Sequence, residues 1–328
     1  TSHWTPFAPS GIRGIIDNAG FVFFSYIGFD CVCTLAEELK HPQRDLPRGI
    51  VFTLIIVTTL YVLVSFVLTG MKSYTMISVR APLADAFTSV HLPWATFIVA
   101  LGTISTLTAT TLCSLYGQPR IFYRMSRDGL LFEKFSTINQ NGVPTFGVWI
   151  TCLGACLLSG FFDLGSLAEM ISIGTLLAFS TICLGVLVLR YGKDADVEEI
   201  KIEVNEMLRY SCLISFVIGE SGCNMLLLYG DNSTLAKLGT YYFCLIAIVA
   251  IVVLWWYVPQ LKYDAKFKCP WVPLVPCIGI TINTNLILAL PTSALIRLVV
   301  WTVIGFSLWF FYGAKHSKLN QVQSQPRK

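Results

Sequence analysis

The sequence predicts an all-α polytopic membrane protein of about nine transmembrane helices, the first of them broken. Three observations predict it. The chain is 55% hydrophobic and only 13% charged, with a mean hydropathy of +0.67, whereas a surface that faces water needs about twice that charged fraction. Its apolar residues gather into runs of about 17 to 24, long enough at ~1.5 Å per residue to cross a ~30 Å hydrocarbon layer. Lipid offers no partner to backbone N–H and C=O groups, so runs of this length must be helices rather than strands.

The runs are Ile15–Leu39, Gly49–Met71, Pro93–Tyr116, Thr145–Phe162, Leu167–Leu189, Tyr210–Tyr229, Leu238–Val258, Val272–Leu290 and Ala294–Tyr312. If the first passes from outside to inside, the loops on the inner side carry Arg44, Arg48, Arg120, Arg124, Arg127, Arg190, Lys193, Arg209, Lys262, Lys268 and Lys315. The outer side holds only Arg13, Lys72, Arg80, Lys237 and the juxtamembrane Arg297. This asymmetry places the carboxy-terminus in the cytoplasm. The net charge of +4 is therefore a topology signal, and no nucleic-acid partner is expected. Asn232-Ser233-Thr234, the one N-x-S/T acceptor, falls on the outer side as a glycosylation candidate.

Organisation follows from the runs. Residues 1–14 form an extracellular loop, 15–190 carry five helices, 191–209 form a cytoplasmic acidic linker helix, 210–313 carry four more helices and 314–328 are a cytoplasmic tail. In the linker, Asp194, Asp196, Glu198, Glu199, Glu203 and Glu206 alternate with Val197, Ile200, Val204 and Met207 at helical spacing. The loop Arg120–Pro144 is too charged to span, and Leu130–Phe135 is expected as an interfacial helix. Thr1 stands where an initiator Met would, so the chain reads as a fragment whose earlier helices lie outside it.

Enzyme chemistry is excluded by pattern. There is no H-E-x-x-H, G-x-S-x-G or Walker lysine, and His3, His41, His91 and His316 all lie in loops or tails. The eleven cysteines sit mostly inside apolar runs, without zinc-site spacing, and read as small packing residues. No metal or cofactor is expected.

Binding chemistry concentrates in the first run. Gly28 weakens a helix, and Asp30 sits near the middle of a span, where a carboxylate costs about 2.5–3.5 kcal/mol. A break at Ser25–Gly28 resolves both: the first half-helix ends in carbonyls suited to an ammonium, the second begins with N–H groups that favour an anion. Asp30 is then either a cap of the second half-helix or a ligand contact. The third run offers a second wall, with Ser105, Thr106, Thr108, Thr110, Thr111 and Ser114; Thr108, Thr111 and Leu112 are the expected pocket side. Such hydroxyls either bond their own helix or line an aqueous path. Glu169 lies near a helix end, where water can reach it. Glu220, beside Gly219 and Gly222 in mid-span, should face protein rather than lipid.

Phe24-Ser25-Tyr26-Ile27-Gly28-Phe29-Asp30, with Ala36–Ile50 after it, resembles the sixth helix and following loop of the cationic amino acid transporters in the amino acid–polyamine–organocation superfamily. Pro119–Phe132 is similar to that family's loop after the eighth helix, Phe162–Tyr191 to its tenth helix, and Phe267–Pro276 and Tyr312–Ser317 to its carboxy-terminal pair. The resemblance implies a fourteen-helix transporter with a five-plus-five inverted repeat, of which this chain holds helices six to fourteen. Its partners are then the missing amino-terminal helices, the lipid bilayer and a cationic L-amino acid: arginine, lysine or ornithine. By the same resemblance Phe24 is an aromatic gate, the Phe24 and Ile27 carbonyls accept the α-ammonium, and Asp30 serves coupling or side-chain contact. Ser25 and Tyr26 stand where the family usually has Ala and Phe, which leaves fine substrate preference open. Transport would be sodium-independent, driven by membrane potential, and located in the plasma membrane rather than an internal one. The rival readings are a neutral amino acid or polyamine carrier, and a sensor or regulatory subunit with the same fold.

Overall fold

The computed structural model describes residues 9, 11–29, 31–34, 39–78, 81–140, 142–191, 202–229, 234–258, 260 and 267–318. Every regular element among them is helical: α1 (Gly11–Val22), α2 (Cys31–Thr34), α3 (Pro42–Met71), α4 (Pro82–Ser89), α5 (Pro93–Arg127), α6 (Thr145–Phe161), α7 (Leu164–Arg190), α8 (Ile202–Tyr229), α9 (Thr234–Tyr257), α10 (Leu274–Leu288), α11 (Thr292–Leu308) and α12 (Ala314–His316). Six helices are long and apolar enough to cross a membrane, and two shorter apolar ones, Thr145–Phe161 and Leu274–Leu288, accompany them. The protein is a multi-pass integral membrane protein.

Helix ends depart from the hydrophobic runs in a consistent way. Helix α1 begins at Gly11, inside the expected outer loop, and α3 begins at Pro42, where proline's fixed φ suits a first turn. Helix α5 runs on to Arg127 through Pro119, because backbone hydrogen bonding does not stop where hydropathy falls. Leu130–Phe135 is not a helix: only a 3₁₀ turn, Glu133–Ser136, forms there. The short α4 was not signalled by any apolar run. Residues 202–209 of the acidic linker continue directly into the span as the start of α8, and the rest of the linker, 192–201, lies outside the described residues.

The chain forms two compact units. The first comprises residues 1–12, 28–167 and 300–328. Here the apolar stretches of α3 and α5 are exposed along their length. Helix α5 meets α2, α4 and α6. Ala95 is buried beside α4, and at the other end an ideal Cβ on Gly147 of α6 would sit 3.3 Å from Pro119. Phe135 bridges Phe122 of α5 and Phe146 of α6, with ring centroids 5.4 and 4.9 Å away. Between α3 and α4, Lys72 Nζ lies 2.6 Å from Asp85 Oδ2, which also accepts the Ser78 amide at 3.0 Å. Asp163 caps α7, accepting the Ser166 hydroxyl at 2.8 Å and its amide at 3.3 Å.

The second unit comprises residues 13–27 and 168–299. Its core joins Leu187 and Tyr191 of α7's end to Leu213 and Phe216 of α8, Ala250 and Leu254 of α9, and Ile280 of α10. Small residues set the approach of α8 to α9: a Cβ on Gly219 would be 2.8 Å from the Phe243 carbonyl, and one on Gly222 2.7 Å from the Phe243 ring. A second cluster packs Ile173 of α7 on Leu290 and Ala294. Helix α1 lies against α10, with Gly20 admitting the Leu286 carbonyl. Cys212 and Cys277 are buried, in keeping with cysteine as a packing residue.

Candidate functional site

The first run breaks where Gly28 stands. Helix α1 ends at Val22, and a 3₁₀ turn carries Phe23–Tyr26. Ile27 is extended (φ −64°, ψ 134°), and Gly28 adopts φ +122°, a region that favours glycine because a Cβ would clash with its own backbone. Helix resumes at Cys31. The chain thus unwinds over the stretch expected to hold an amino acid. Ser25 Oγ donates to the Val22 carbonyl at 2.6 Å, so the hydroxyl that departs from the family pattern is satisfied by its own turn. The Phe24 carbonyl accepts the Ile27 amide at 3.2 Å; a carbonyl oxygen carries two lone pairs, and this bond uses one. Phe24, Tyr26 and Ile27 are half-buried, Ser25 and Gly28 exposed. Phe23, one residue before, meets Phe179 of α7 edge-on at 6.1 Å. Asp30 and Asn232 lie outside the described residues.

Phe24–Ile27 belong to the second unit, and Gly28, Thr108, Thr111 and Leu112 to the first. On α5, the Thr108 and Thr111 hydroxyls each donate to the carbonyl four residues earlier, Ile104 and Leu107, at 2.8 Å. Thr103 and Thr110 do the same. This is one of the two arrangements open to hydroxyls in a membrane helix. It spends the donor and leaves both lone pairs of each oxygen as acceptors. Both threonines and Leu112 are exposed in this chain.

Two acidic residues inside the helices have defined surroundings. Glu220 is 4% exposed and faces protein. One carboxylate oxygen takes the Asn224 amide. Glu169 is not left to water: its Oε2 lies 3.3 Å from Arg297 Nη1 of α11. Sequence reading also missed the polar knot between the end of α7 and the start of α8. There Arg209 donates to the Tyr191 carbonyl at 2.5 Å. Gln260 bridges Arg190, the Tyr191 hydroxyl and the Val272 carbonyl at 3.2, 3.2 and 2.7 Å. A basic residue at the end of an apolar run was the available signal, since a cation near a helix carboxy-terminus is favourable. Among the described residues no group of three His, Cys, Asp or Glu side chains could hold a metal ion.

Discontinuous helices of this kind occur in secondary transporters. A family described as amino acid permease matches residues 1–205, and one described as the C-terminus of AA_permease matches residues 267–317. The chain belongs to the amino acid permease family. Relatives of this permease include "Cationic amino acid transporter 4, vacuolar" of Arabidopsis thaliana, 34% identical over 97% of this chain and 61% of its own length. "Cationic amino acid transporter 9, chloroplastic" of the same plant is 34% identical over 99% of this chain and 57% of its length. "Branched-chain amino acid permease BcaP" of Bacillus subtilis is 32% identical over 97% and 55%. The chain therefore spans about 60% of the length of the relatives it matches. These relatives are transporters, not enzymes.

Proposed function

We propose that this permease belongs to a secondary transporter that moves cationic L-amino acids, such as arginine, lysine and ornithine, by alternating access. The observation that carries the reading is the break at Gly28, with φ +122°. It presents main-chain carbonyls from Phe24 to Ile27 to an α-ammonium group. In this reading Phe24 closes over the substrate, Asp30 meets its positive charge or caps the resumed helix, and Thr108, Thr111 and Leu112 line the route. Residues 15–190 then supply the second half of the transporter core, and the four helices after them pack around it.

The names of two relatives support a cationic substrate. That of the branched-chain permease supports a neutral one, and the two readings separate on charge. A cation needs no sodium gradient: one charge entering a cell gains about 2.3 kcal/mol per 100 mV. An inside-negative potential of this kind favours the plasma membrane, with the carboxy-terminus in the cytoplasm; cell fractionation against vacuolar and plastid markers tests that placement. The substrate test is radiolabelled uptake by the full-length protein, with arginine, ornithine and leucine compared in sodium and in choline buffer. Saturable arginine uptake indifferent to sodium is expected. Leucine uptake without arginine uptake would assign the site to a neutral substrate.

A further inference from the structure

Two segments that the substrate site does not use, Arg127–Phe132 after α5 and Tyr312–Lys318 at the other end of the chain, meet within the first unit. The contact is built from backbone. Gly129 has φ +79°, and a Cβ there would stand 2.0 Å from the His316 carbonyl oxygen and 3.3 Å from Ser317 Cα. The Lys318 amide donates to the Asp128 carbonyl at 3.2 Å. Gly313 is buried, with its ideal Cβ position 3.5 Å from the Leu130 carbonyl oxygen and 3.7 Å from Leu130 Cα. Rings close the rest: Phe132 lies 4.8 Å from Tyr312, and Tyr312 stacks on His316 at 4.3 Å, nearly parallel. Ser126 holds the turn by donating to the Phe132 carbonyl at 2.7 Å.

Gly129 thus answers one requirement, that two backbones approach more closely than a side chain would permit, while a Cβ at Gly313 would be in ordinary contact with Leu130. A contact of this kind is rigid, and its place matters. The apolar stretch of α5 is unburied in this chain; α2 and α4 touch the helix, with Ala95 buried beside α4, and a further hold runs from Pro119 to its carboxy-terminal turn. We propose that Tyr312–Lys318 is a brace on that turn. By fixing the end of α5 it sets the tilt and rotation of the face bearing Thr108 and Thr111. These are positioning residues, and the proposal rests on the reading of α5 as a wall of the transport route.

The test uses the full-length protein. In Tyr312→Ala/His316→Ala the ring contacts are lost, and the KM for arginine should rise about tenfold, equivalent to ~1.4 kcal/mol, per molecule at the surface. Adding Leu130→Cys/Gly313→Cys to that background should restore KM on oxidation and lose it again on reduction, since the two positions are close enough for a disulfide. The same cysteine pair in an otherwise wild-type protein tests the contact even if the alanine variant fails to reach the surface. A wild-type KM in the alanine variant would overturn the brace; so would a disulfide that does not form, or one that forms without restoring KM. If the wild type carries leucine but not arginine, the cationic reading fails and KM for leucine tests the brace instead. If nothing is carried, the transporter reading fails. The brace is then judged by the labelling rate of a thiol at Thr111, which must change in the alanine variant and return on oxidation.

Discussion

Asp30 carries the sharpest residue-level question, because its two roles respond differently to substitution. Asparagine keeps a capping oxygen but removes the charge. If the charge meets the substrate, Asp30→Asn should cut arginine uptake per surface molecule about tenfold for each ~1.4 kcal/mol lost. If Asp30 only caps, Asn should be nearly silent while Asp30→Ala lowers expression and uptake together. Asp85 makes a prediction in pH. The Lys72 ammonium, followed by the Ser78 amide, holds its carboxyl below the usual carboxylate range. Its contribution is therefore complete above the ordinary value of about 3.9 and is lost as pH falls through the lower folded value. Hydrogen exchange at the Ser78 amide, corrected for its intrinsic pH dependence, should stay protected at pH 5 and lose protection only below about 4. Protection unchanged in Asp85→Asn would remove the pair as the cause. Gly28 was legible in the sequence because glycine beside an acid in mid-span has few other uses. The Glu169–Arg297 pair was not, because nothing local links positions so far apart.

At the scale of helices, hydropathy located the apolar cores of the spans but not their ends. Helix α5 continues to Arg127 and α8 starts at Ile202, since a helix extends through polar residues as long as its backbone bonds are made. The amphipathic spacing of Leu130–Phe135 misled for the opposite reason: the brace from the carboxy-terminal segment and the positive φ of Gly129 fold that stretch as a turn. In the third run, hydroxyl spacing was visible, but whether a hydroxyl keeps its donor for a ligand depends on the i−4 bond, which spends it. Glycine environments give an element-level prediction. Gly219→Val or Gly222→Val should force α8 and α9 apart, costing ~1–3 kcal/mol as overpacking does and lowering the melting temperature in detergent. Gly305→Ala, with nothing within 4 Å of its Cβ position, should melt like the wild type. Equal melting of all three would show that the close α8–α9 approach contributes little.

For the whole molecule, helical class and membrane embedding were legible from composition and run length alone, because lipid leaves the backbone so few options. Its division into two compact units was not, since it depends on contacts between distant segments. Orientation rests on the placement of Lys and Arg. A thiol at Ser233 should react with an impermeant reagent from outside the cell and one at Lys315 should not; the reverse pattern would invert the topology. The central claim, a carrier of cationic amino acids driven by membrane potential, is tested most directly by arginine accumulation in proteoliposomes of the full-length protein, with the potential clamped by a potassium gradient and valinomycin. One charge per cycle sets the size of the effect. At ~2.3 kcal/mol per 100 mV, the limiting ratio of internal to external arginine should rise roughly 50-fold for 100 mV inside negative, without sodium; a ratio that ignores the potential while leucine accumulates would contradict the account.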